Sequence, residues 1–284
     1  MSNSQKISVI IRTYNEQEYL GKLINVLYEQ TGIDTELQII VVDSGSTDRT
    51  CDTAREHGVE IIETAKEDFN YSRNLNLGIE ASFGDLIVII SAHAIPTDKF
   101  WLKTIISCFL DSNVAGVFCR QIPWQDADPY EIIRLRKTFD EKPRKFGKDD
   151  AGKNVNFSNA ASCIRKQVWQ KHNFVIMPAS EDMEWGKWVL ANGYKLVYTP
   201  DAKVFHSHNE SCLREVRRII ELEKTEDIQR PGRRTIFLTF KQAVGILLKR
   251  GRIICTAEEY ATVRGRQLFK CLIKSMLYLI EFNR

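Results

Sequence analysis

The sequence has 284 residues, of which 27% are charged and 43% hydrophobic, and these proportions exclude disordered, fibrous and disulfide-scaffold proteins. The net charge is only +3, which argues against a chain that binds nucleic acid along its whole length. The charge is unevenly divided, because residues 203–284 carry 17 basic and 9 acidic side chains, whereas residues 1–202 carry 23 and 28. An acidic body is therefore followed by a basic C-terminal region.

The compartment and redox state are predicted from what the sequence lacks. No uninterrupted apolar run approaches the roughly 18 residues that span a bilayer, and the first six residues lack the apolar stretch of a signal peptide. We therefore expect a cytoplasmic protein. The seven cysteines are odd in number and widely spaced, and no two of them form a C-x-x-C pair, so we expect reduced thiols rather than disulfides or a zinc site.

Apolar runs alternate with segments of helical periodicity, which predicts an α/β fold with βα units on a mostly parallel sheet. The predicted strands are residues 7–12, 38–42, 59–62, 86–90, 114–119 and 194–199. The predicted helices begin at Asn15, with Glu18 completing a capping box, and near Ser46, Tyr71, Pro96 and Glu181.

Two further segments lack the alternating pattern. Residues 138–153 are rich in charge, proline and glycine without periodicity, which predicts a mobile loop. After His208 the predicted strands cease and helix-forming segments dominate. The sequence therefore predicts two parts, a sheet domain over residues 1–208 and a basic helical C-terminal region over residues 209–284.

Polar residues stand where the predicted strands end or a helix starts. They form four short segments, residues 12–16, 43–48, 91–93 and 180–182. In an open parallel sheet, ligands bind beyond the carboxyl ends of the strands. Each segment alone could be ordinary turn or cap chemistry, but together, at ends that converge, they predict a nucleotide site.

These segments resemble the family 2 glycosyltransferases of the GT-A fold. The resemblance rests on Thr13-Tyr14-Asn15-Glu16, on the run VVDSGSTD over residues 41–48, and on Glu181-Asp182 followed by Trp185-Gly186. It covers about residues 5–210. The amino-acid sequences of residues 91–96 and 157–162 are similar to those of rhamnosyltransferase-like bacterial members of the family. The resemblance implies a Rossmann-like GT-A domain, a nucleotide-sugar donor and a glycan acceptor, and it implies no nucleic-acid partner.

The resemblance implies that the first two loops hold the nucleoside of the donor, with Thr13, Tyr14 and Glu16 beside the base. Asp43 would accept hydrogen bonds from the base or ribose, a role that suits an ionised acceptor. The alternative for Asp43 is a turn residue before Gly45. The other residues implied at the donor site are Ser44, Arg73, Ser91, Ala92 and Asn159. The alternative for Arg73 is a solvated position on a helix surface, and the alternative for Asn159 is a turn residue.

The family usually has Asp-x-Asp where this sequence has Ser91-Ala92-His93, and that motif helps bind a divalent cation. Fewer carboxylate oxygens make the site less suited to Mg²⁺, whereas imidazole binds Mn²⁺ and softer ions. His93 is therefore a candidate ligand for Mn²⁺ or Mg²⁺. His206 and His208 lie on the same side of an extended segment, and either could meet His93.

The resemblance implies that Asp182 is the general base, which takes the proton from an acceptor hydroxyl as that oxygen attacks the anomeric carbon and inverts it. Glu181 would orient the base or bind the acceptor. The alternative for both is two acids that stabilise a helix N-terminus. Trp185 is expected to line the acceptor cleft by stacking on a sugar, and Trp188 either joins it or packs in the core.

The C-terminal region interleaves basic clusters with apolar segments over residues 214–252. Basic amphipathic helices of this kind can lie on an anionic membrane surface. The alternative is a helical extension packed on the sheet domain or in a homodimer. A membrane location would suit an acceptor glycan that is carried on a lipid.

The predicted reaction is transfer of a sugar from dTDP-rhamnose or a UDP-sugar to a hydroxyl of a growing cell-surface glycan. A nucleotidyltransferase is one alternative, but it would need a glycine-rich phosphate loop, and residues 12–16 contain no glycine. A non-catalytic nucleotide-sugar binder is another. The presence of Glu181-Asp182 and of the histidine pair favours an enzyme over it.

Overall fold

A computed structural model describes residues 6–127 and 129–207, apart from the side chains of residues 129 and 130. The strands are β1 Ile7–Thr13, β2 Leu37–Asp43, β3 Glu60–Glu63, β4 Leu86–Ser91, β5 Ile95–Pro96, β6 Val114–Ile122, β7 Arg144–Phe146, β8 Ala161–Arg165 and β9 Lys195–Phe205. The helices are α1 Leu20–Tyr28, α2 Thr50–Glu56, α3 Tyr71–Ala81, α4 Trp101–Ser107, α5 Pro129–Thr138, α6 Lys166–Trp169 and α7 Glu181–Ala191. Short 3-10 turns cover Lys66–Asp68, Cys108–Leu110 and Lys148–Asp150.

One mixed sheet runs in the order β3-β2-β1-β4-β8-β6-β9-β5, and β7 pairs with β9 beside this path. The strands β1 to β4 are mutually parallel, and β6 and β9 are parallel to each other. Strand β8 is reversed between β4 and β6. The predicted mostly parallel α/β sheet is confirmed, and the reversal places the start of β8 beside the ends of β1, β2 and β4.

Helices cover both faces of the sheet, which is why the central strands are continuous apolar runs. In β1, Ile7, Val9 and Ile11 pack in one core cluster with residues of α1 and α4. Ile10 packs in the other cluster with residues of α3 and α7. Full burial of one such side chain contributes about 1.5–3 kcal/mol to stability. The buried strands therefore hold the loops at the edge of the sheet in place.

Two predicted helix starts are wrong. Helix α1 begins at Leu20 rather than beside Asn15, because Asn15 has a positive φ of 53° and its Oδ1 accepts a hydrogen bond from the Thr47 N–H at 2.8 Å. Pro96 lies in β5 and not at a helix start, because the ladder to β9 continues through the Thr97 N–H, which donates to the Lys203 carbonyl at 3.0 Å. Helix α4 begins only at Trp101.

The predicted mobile loop over residues 138–153 is also wrong, because this segment contains β7 and a 3-10 turn. Strand β7 pairs antiparallel with β9, and Phe146 stacks on Phe118 with ring centroids 6.3 Å apart. The Tyr198 hydroxyl donates to the Asp140 carbonyl at 2.6 Å. A strand of three residues is too short to show an alternating pattern in the sequence.

Residues 6–124 and 135–207 form one compact unit, and residues 125–134 belong to a second unit. Within the latter, Arg134 donates two hydrogen bonds of 2.7 Å to the carboxylate of Glu131. Residues 209–284, where we predict a helical region, lie outside the described residues, so this boundary stays a prediction. Among the described residues, no helix is both long and apolar enough to cross a membrane.

The described cysteines, Cys51, Cys108, Cys119 and Cys163, are free thiols, as predicted. Cys119 and Cys163 are buried in the core. Burial raises the pKa of the Cys119 thiol to about 12, so it stays protonated and packs as a small apolar group.

Candidate active site

The carboxyl ends of β1, β2 and β4 bring three of the predicted polar segments to one edge of the sheet. Thr13 pairs with Asp43 across β1 and β2, and Arg12 pairs with Ser91 across β1 and β4. The Ser91 N–H donates to the carbonyl of Ala160, just before the reversed β8, at 3.0 Å. The predicted convergence of these segments is therefore confirmed.

The loop after β2 is shaped by the carboxylate of Asp43. Its Oδ1 accepts hydrogen bonds from the N–H groups of Gly45 at 2.9 Å and Ser46 at 2.8 Å, and its Oδ2 accepts from the Ser46 hydroxyl. Asp43 is buried, and Ser44 Oγ accepts from the Asn74 side chain at 3.0 Å. The carboxylate thus performs the turn role named above as the alternative, and its contact with a nucleoside stays a prediction.

The loop after β1 presents one exposed aromatic ring. Tyr14 is 38% exposed, and the Lys66 ammonium lies 5.1 Å from its ring centroid. Thr13 is buried at the strand end. Arg73 is exposed and lies 3.4 Å from the carboxylate of Asp68, so it occupies the solvated helix surface that was its alternative.

Asp182 is the second residue of α7, and two backbone N–H groups hold its carboxyl group. Oδ1 accepts from Met183 at 2.8 Å and Oδ2 accepts from Asn159 at 3.1 Å. Burial and the negative charge of Glu181 raise the pKa of Asp182 to about 7, against the opposing effect of these N–H groups and of Arg12. A carboxyl that titrates near neutral pH is suited to accept a proton during catalysis.

Helix α7 is entered through a strained residue, because Ser180 has a positive φ of 68°. Such strain in a residue other than glycine clusters at functional sites. Asn159, whose backbone N–H donates to Asp182, is itself buried, and its Oδ1 accepts from the Ser162 hydroxyl at 3.0 Å. The geometry at Asp182 is therefore fixed from both α7 and the start of β8.

Arg12 belongs to the predicted polar segment 12–16, but the sequence prediction gave it no role of its own. Its Nη1 lies 3.6 Å from Oε1 of the buried Glu181, and its guanidinium lies 4.5 Å from the ring centroid of Tyr71. A signal was present in the sequence, since Arg12 is the basic residue that ends the first apolar run.

Two imidazole rings lie together at the same edge. His93 Nδ1 is 2.7 Å from Glu16 Oε1, and His206 Nδ1 is 2.9 Å from Gln121 Oε1. The rings of His93 and His206 stack with centroids 5.0 Å apart and an interplanar angle of 13°. The prediction that one of the two late histidines meets His93 is confirmed for His206, whereas His208 lies outside the described residues. Within residues 6–127 and 129–207, no group of three His, Cys, Asp or Glu side chains is placed to hold a metal ion.

The predicted acceptor role of Trp185 is wrong, because this side chain is fully buried. It packs on Phe157 and Phe174, and its Nε1 donates to the His172 carbonyl at 3.0 Å. The side chain of Ala92 is also buried in the core, so only its backbone could touch a donor, and its N–H points to the Arg12 carbonyl at 3.3 Å. Helical spacing alone does not tell which side of α7 faces the sheet.

The exposed aromatic side chains nearest to Arg12 are on the segment that leads into α3. Tyr71 is 38% exposed and Phe69 is 40% exposed, and their rings meet edge to face at 4.8 Å between centroids. Tyr71 also covers the Arg12 guanidinium, which in turn faces Glu181. An aromatic surface therefore lies beside the carboxyl pair, on α3 rather than on α7.

The mostly parallel sheet, which has helices on both faces and the Glu181–Asp182 pair at its carboxyl edge, has the fold of the GT-A glycosyltransferases. Residues 8–169 match the family described as glycosyl transferase family 2. The chain is 31% identical over 226 residues to O-antigen chain rhamnosyltransferase WbaN of Salmonella anatum, covering 75% of this chain and 70% of that protein. It is 29% identical over 228 residues to O-antigen chain rhamnosyltransferase RfbN of Salmonella typhimurium, covering 76% and 71%.

Solved structures show the same fold. The mannosyltransferase PcManGT from Pyrobaculum calidifontis, in complex with GDP-Man and Mn²⁺, superposes with a TM-score of 0.62 at 16% identity, covering 98% of this chain and 86% of that one. Staphylococcus aureus TarS in complex with UDP-GlcNAc gives 0.56 at 17% identity, covering 72% and 59%. The chain belongs to glycosyl transferase family 2, and it is a glycosyltransferase.

Proposed function

We propose that this glycosyltransferase moves a sugar from a nucleoside-diphosphate sugar to a hydroxyl of a growing cell-surface glycan, with inversion at the anomeric carbon. The two Salmonella relatives support this proposal, since both are named as O-antigen chain rhamnosyltransferases. The proposed donor is dTDP-rhamnose or a UDP-sugar, and the proposed acceptor is a glycan, free or linked to a lipid. The observation that carries the proposal is the Asp182 carboxyl, which the N–H groups of Asn159 and Met183 hold at the edge of the sheet beside the buried Glu181.

In the proposed reaction, the acceptor oxygen attacks the anomeric carbon from the face opposite the diphosphate. The bond from this carbon to the diphosphate oxygen breaks, and its electron pair leaves with the diphosphate. The hydroxyl proton passes to Asp182, because a sugar hydroxyl is a poor nucleophile until its proton is being removed. The N–H groups of Asn159 and Met183 hold the receiving carboxylate in place.

The proposed donor site lies along the ends of β1, β2 and β4. Tyr14 supports this placement, because its exposed ring offers a face on which the base can stack. Lys66, beside that ring, adds a cation close to where a diphosphate would lie. Ser91 and Asn159 then contact the sugar, whereas a contact from Arg73 requires it to leave Asp68.

For the metal, we propose His93 and His206 as two ligands of a divalent cation, because their imidazole rings lie together at the edge of the sheet. Each ring engages a side-chain oxygen through Nδ1, from Glu16 at His93 and from Gln121 at His206. Such carboxylate or amide partners orient metal-binding histidines. A cation there, Mn²⁺ rather than Mg²⁺ because the donors are nitrogens, would neutralise charge on the departing diphosphate.

The acceptor sugar is proposed to pack on Tyr71 and Phe69, in place of the buried Trp185. Aromatic faces suit the apolar C–H surface of a sugar ring, and these two rings lie beside Arg12 and Glu181. For the basic region over residues 209–284, we propose contact with the inner surface of the cell membrane, where lipid-linked acceptors lie. Assembly as a homodimer stays a prediction.

A donor panel tests the proposal. Purified protein is incubated with UDP-, dTDP- and GDP-sugars, and release of the nucleoside diphosphate is measured with Mn²⁺ and with excess EDTA. The proposal expects turnover of one donor, dependent on the cation. Tight binding of a donor without turnover, even with acceptor glycan present, would identify a non-catalytic binder instead. Full turnover in EDTA would overturn the metal assignment and leave the transferase assignment intact.

A further inference from the structure

The start of α7 places two carboxyl groups side by side, and one cation from a different element faces them. Glu181 has only 6% of its side chain exposed, and Arg12, on β1, has 17% exposed. Arg12 Nη1 and Glu181 Oε1 are 3.6 Å apart. A buried carboxylate without a counter-charge is strongly unfavourable, and Arg12 supplies a positive charge that faces Glu181 beside Asp182.

The guanidinium of Arg12 is held by its surroundings rather than by a hydrogen-bond network. Its backbone is fixed between β2 and β4, where it pairs with Val42 and Ser91. The ring of Tyr71 covers the guanidinium at 4.5 Å, a favourable cation–π distance. Nη1 is buried and has no hydrogen-bond partner among the described residues. A buried donor without a hydrogen-bond partner costs stability. We therefore infer that Arg12 contributes its positive charge to the site rather than a hydrogen bond from Nη1.

We propose that Arg12 is a positioning residue, whose positive charge offsets that of Glu181 at Asp182 and thereby keeps Asp182 able to serve as the base. The inference rests on the proposed function, since it concerns the same base. Arg12 acts through its charge on Asp182 and does not itself touch the reacting atoms.

The charges around Asp182 decide the sign of the effect. Asp182 is faced by Glu181 from its own helix, by Arg12 from β1, and by the N–H groups of Asn159 and Met183. His172 contacts α7, where it pairs with Glu184. The 3-10 turn at Lys148–Asp150 and β9 pack on the same helix. In the 3-10 turn, Asp150 pairs with Lys153, and in β9, Lys195 pairs with Asp111. The other charged residues of these elements are Lys148, Asp149, Asp201 and Lys203.

Glu181 raises the pKa of Asp182, and Arg12 lowers it. Removal of the Arg12 charge should therefore move the acid limb of the pH profile of kcat to higher pH, by about one unit or more. Removal of the Glu181 charge should move it to lower pH. The experiment compares pH profiles of kcat for wild type, Arg12→Gln, Arg12→Lys, Glu181→Gln and the double variant Arg12→Gln/Glu181→Gln. We expect Arg12→Lys to keep the wild-type limb and the double variant to return towards it.

A merely structural role for Arg12 would lower kcat and leave the acid limb where it is, and that result would overturn the proposal. If Arg12→Gln does not fold, Glu181→Gln decides, because an unshifted limb in that variant also overturns it. The same titration is read without turnover from the side-chain carboxyl ¹³C resonance of Asp182, assigned by its loss in Asp182→Asn. A protein that shows this coupling but transfers no sugar would contradict the proposed function and not the role of Arg12.

Discussion

At the scale of single residues, the site contains the carboxylate of Asp182 at a position where burial and Glu181 disfavour its negative charge. Asp182 has its pKa raised by burial and by Glu181, so ionisation at neutral pH costs folding free energy. Active sites commonly give up stability in this way for function. The sequence predicted the convergence of the loops after β1, β2 and β4, because their polar residues follow apolar runs directly, whereas the role of Asp182 as the base stays a prediction from the resemblance. It could not predict Arg12 or Tyr71 as partners, because their contact joins β1 to the start of α3 through space.

Asp182→Asn should show this cost as a pH dependence of stability. The folded pKa of Asp182 lies above its ordinary value of 3.8, so its contribution to stability is complete below about pH 4 and is lost as the pH rises through about 7. The Tm of Asp182→Asn relative to wild type should therefore rise between pH 4 and pH 8. Thermal unfolding monitored by circular dichroism at several pH values measures it.

Asp48→Asn serves as the control of opposite sign. Although desolvation opposes the effect, hydrogen bonds from Thr50 lower the pKa of Asp48, so its ionised form stabilises the fold above its ordinary pKa. The Tm of this variant relative to wild type should fall as the pH rises through about 4. Equal pH trends in both variants would contradict the account of Asp182.

At the scale of elements, β1, β2 and β4 could be predicted because helices cover both of their faces and make them apolar throughout. Strands β5 and β7 could not, because they have two and three residues and hold their places only through pairing with β9. The sequence also could not predict which face of α7 packs on the sheet. For this reason Trp185 was assigned to the acceptor site, although its side chain lies in the core.

The close approach of the segment before β4 to the start of β1 leads to a stability prediction. A Cβ on Gly84 would lie 2.5 Å from the backbone nitrogen of Ser8 and 2.8 Å from the Leu86 carbonyl oxygen. Backbone atoms cannot move aside cheaply, so Gly84→Ala should lower the free energy of unfolding by about 1–3 kcal/mol. Urea denaturation measures it.

Gly152→Ala is the matched control, because nothing lies within 4 Å of its added Cβ. Its stability should stay within about 0.5 kcal/mol of wild type. If Gly84→Ala were as stable as this control, the described packing of the segment before β4 on β1 would be contradicted.

At the scale of the whole molecule, the family match and the excess of basic residues fall in different parts of the chain. The family match ends at residue 169, within the acidic body, and the basic excess is confined to residues 203–284. We interpret the acidic body, residues 1–202, as the part that carries out the reaction. We interpret the basic region, residues 203–284, as the part that brings the protein to a membrane surface. The structure supports the first half of this interpretation through the site at the sheet edge, and the second half stays a proposal from sequence.

Co-sedimentation with vesicles tests the second half. The full chain should bind vesicles that contain phosphatidylglycerol and should be released by high salt, because anionic lipids attract each nearby Lys or Arg by about 1 kcal/mol. Replacement of Arg230, Arg233 and Arg234 by Glu should weaken this binding.

Replacement of Lys22, Lys99 and Lys187 by Glu is the control, since these exposed lysines lie on the body and give the same change of charge. This variant should bind as wild type does. Equal loss in both variants, or no binding by the wild-type chain, would contradict a membrane role of the basic region.

The central claim is that Asp182 is the base of an inverting transfer, and the most direct test is sugar transfer by Asp182→Asn with a donor that the wild-type protein uses. We expect kcat to fall at least about 100-fold, the lower end of what a general base contributes, while calorimetry shows unchanged donor affinity. Glu184→Gln, two residues further along α7 and paired with His172, should retain transfer. Near-normal transfer by Asp182→Asn would contradict the account.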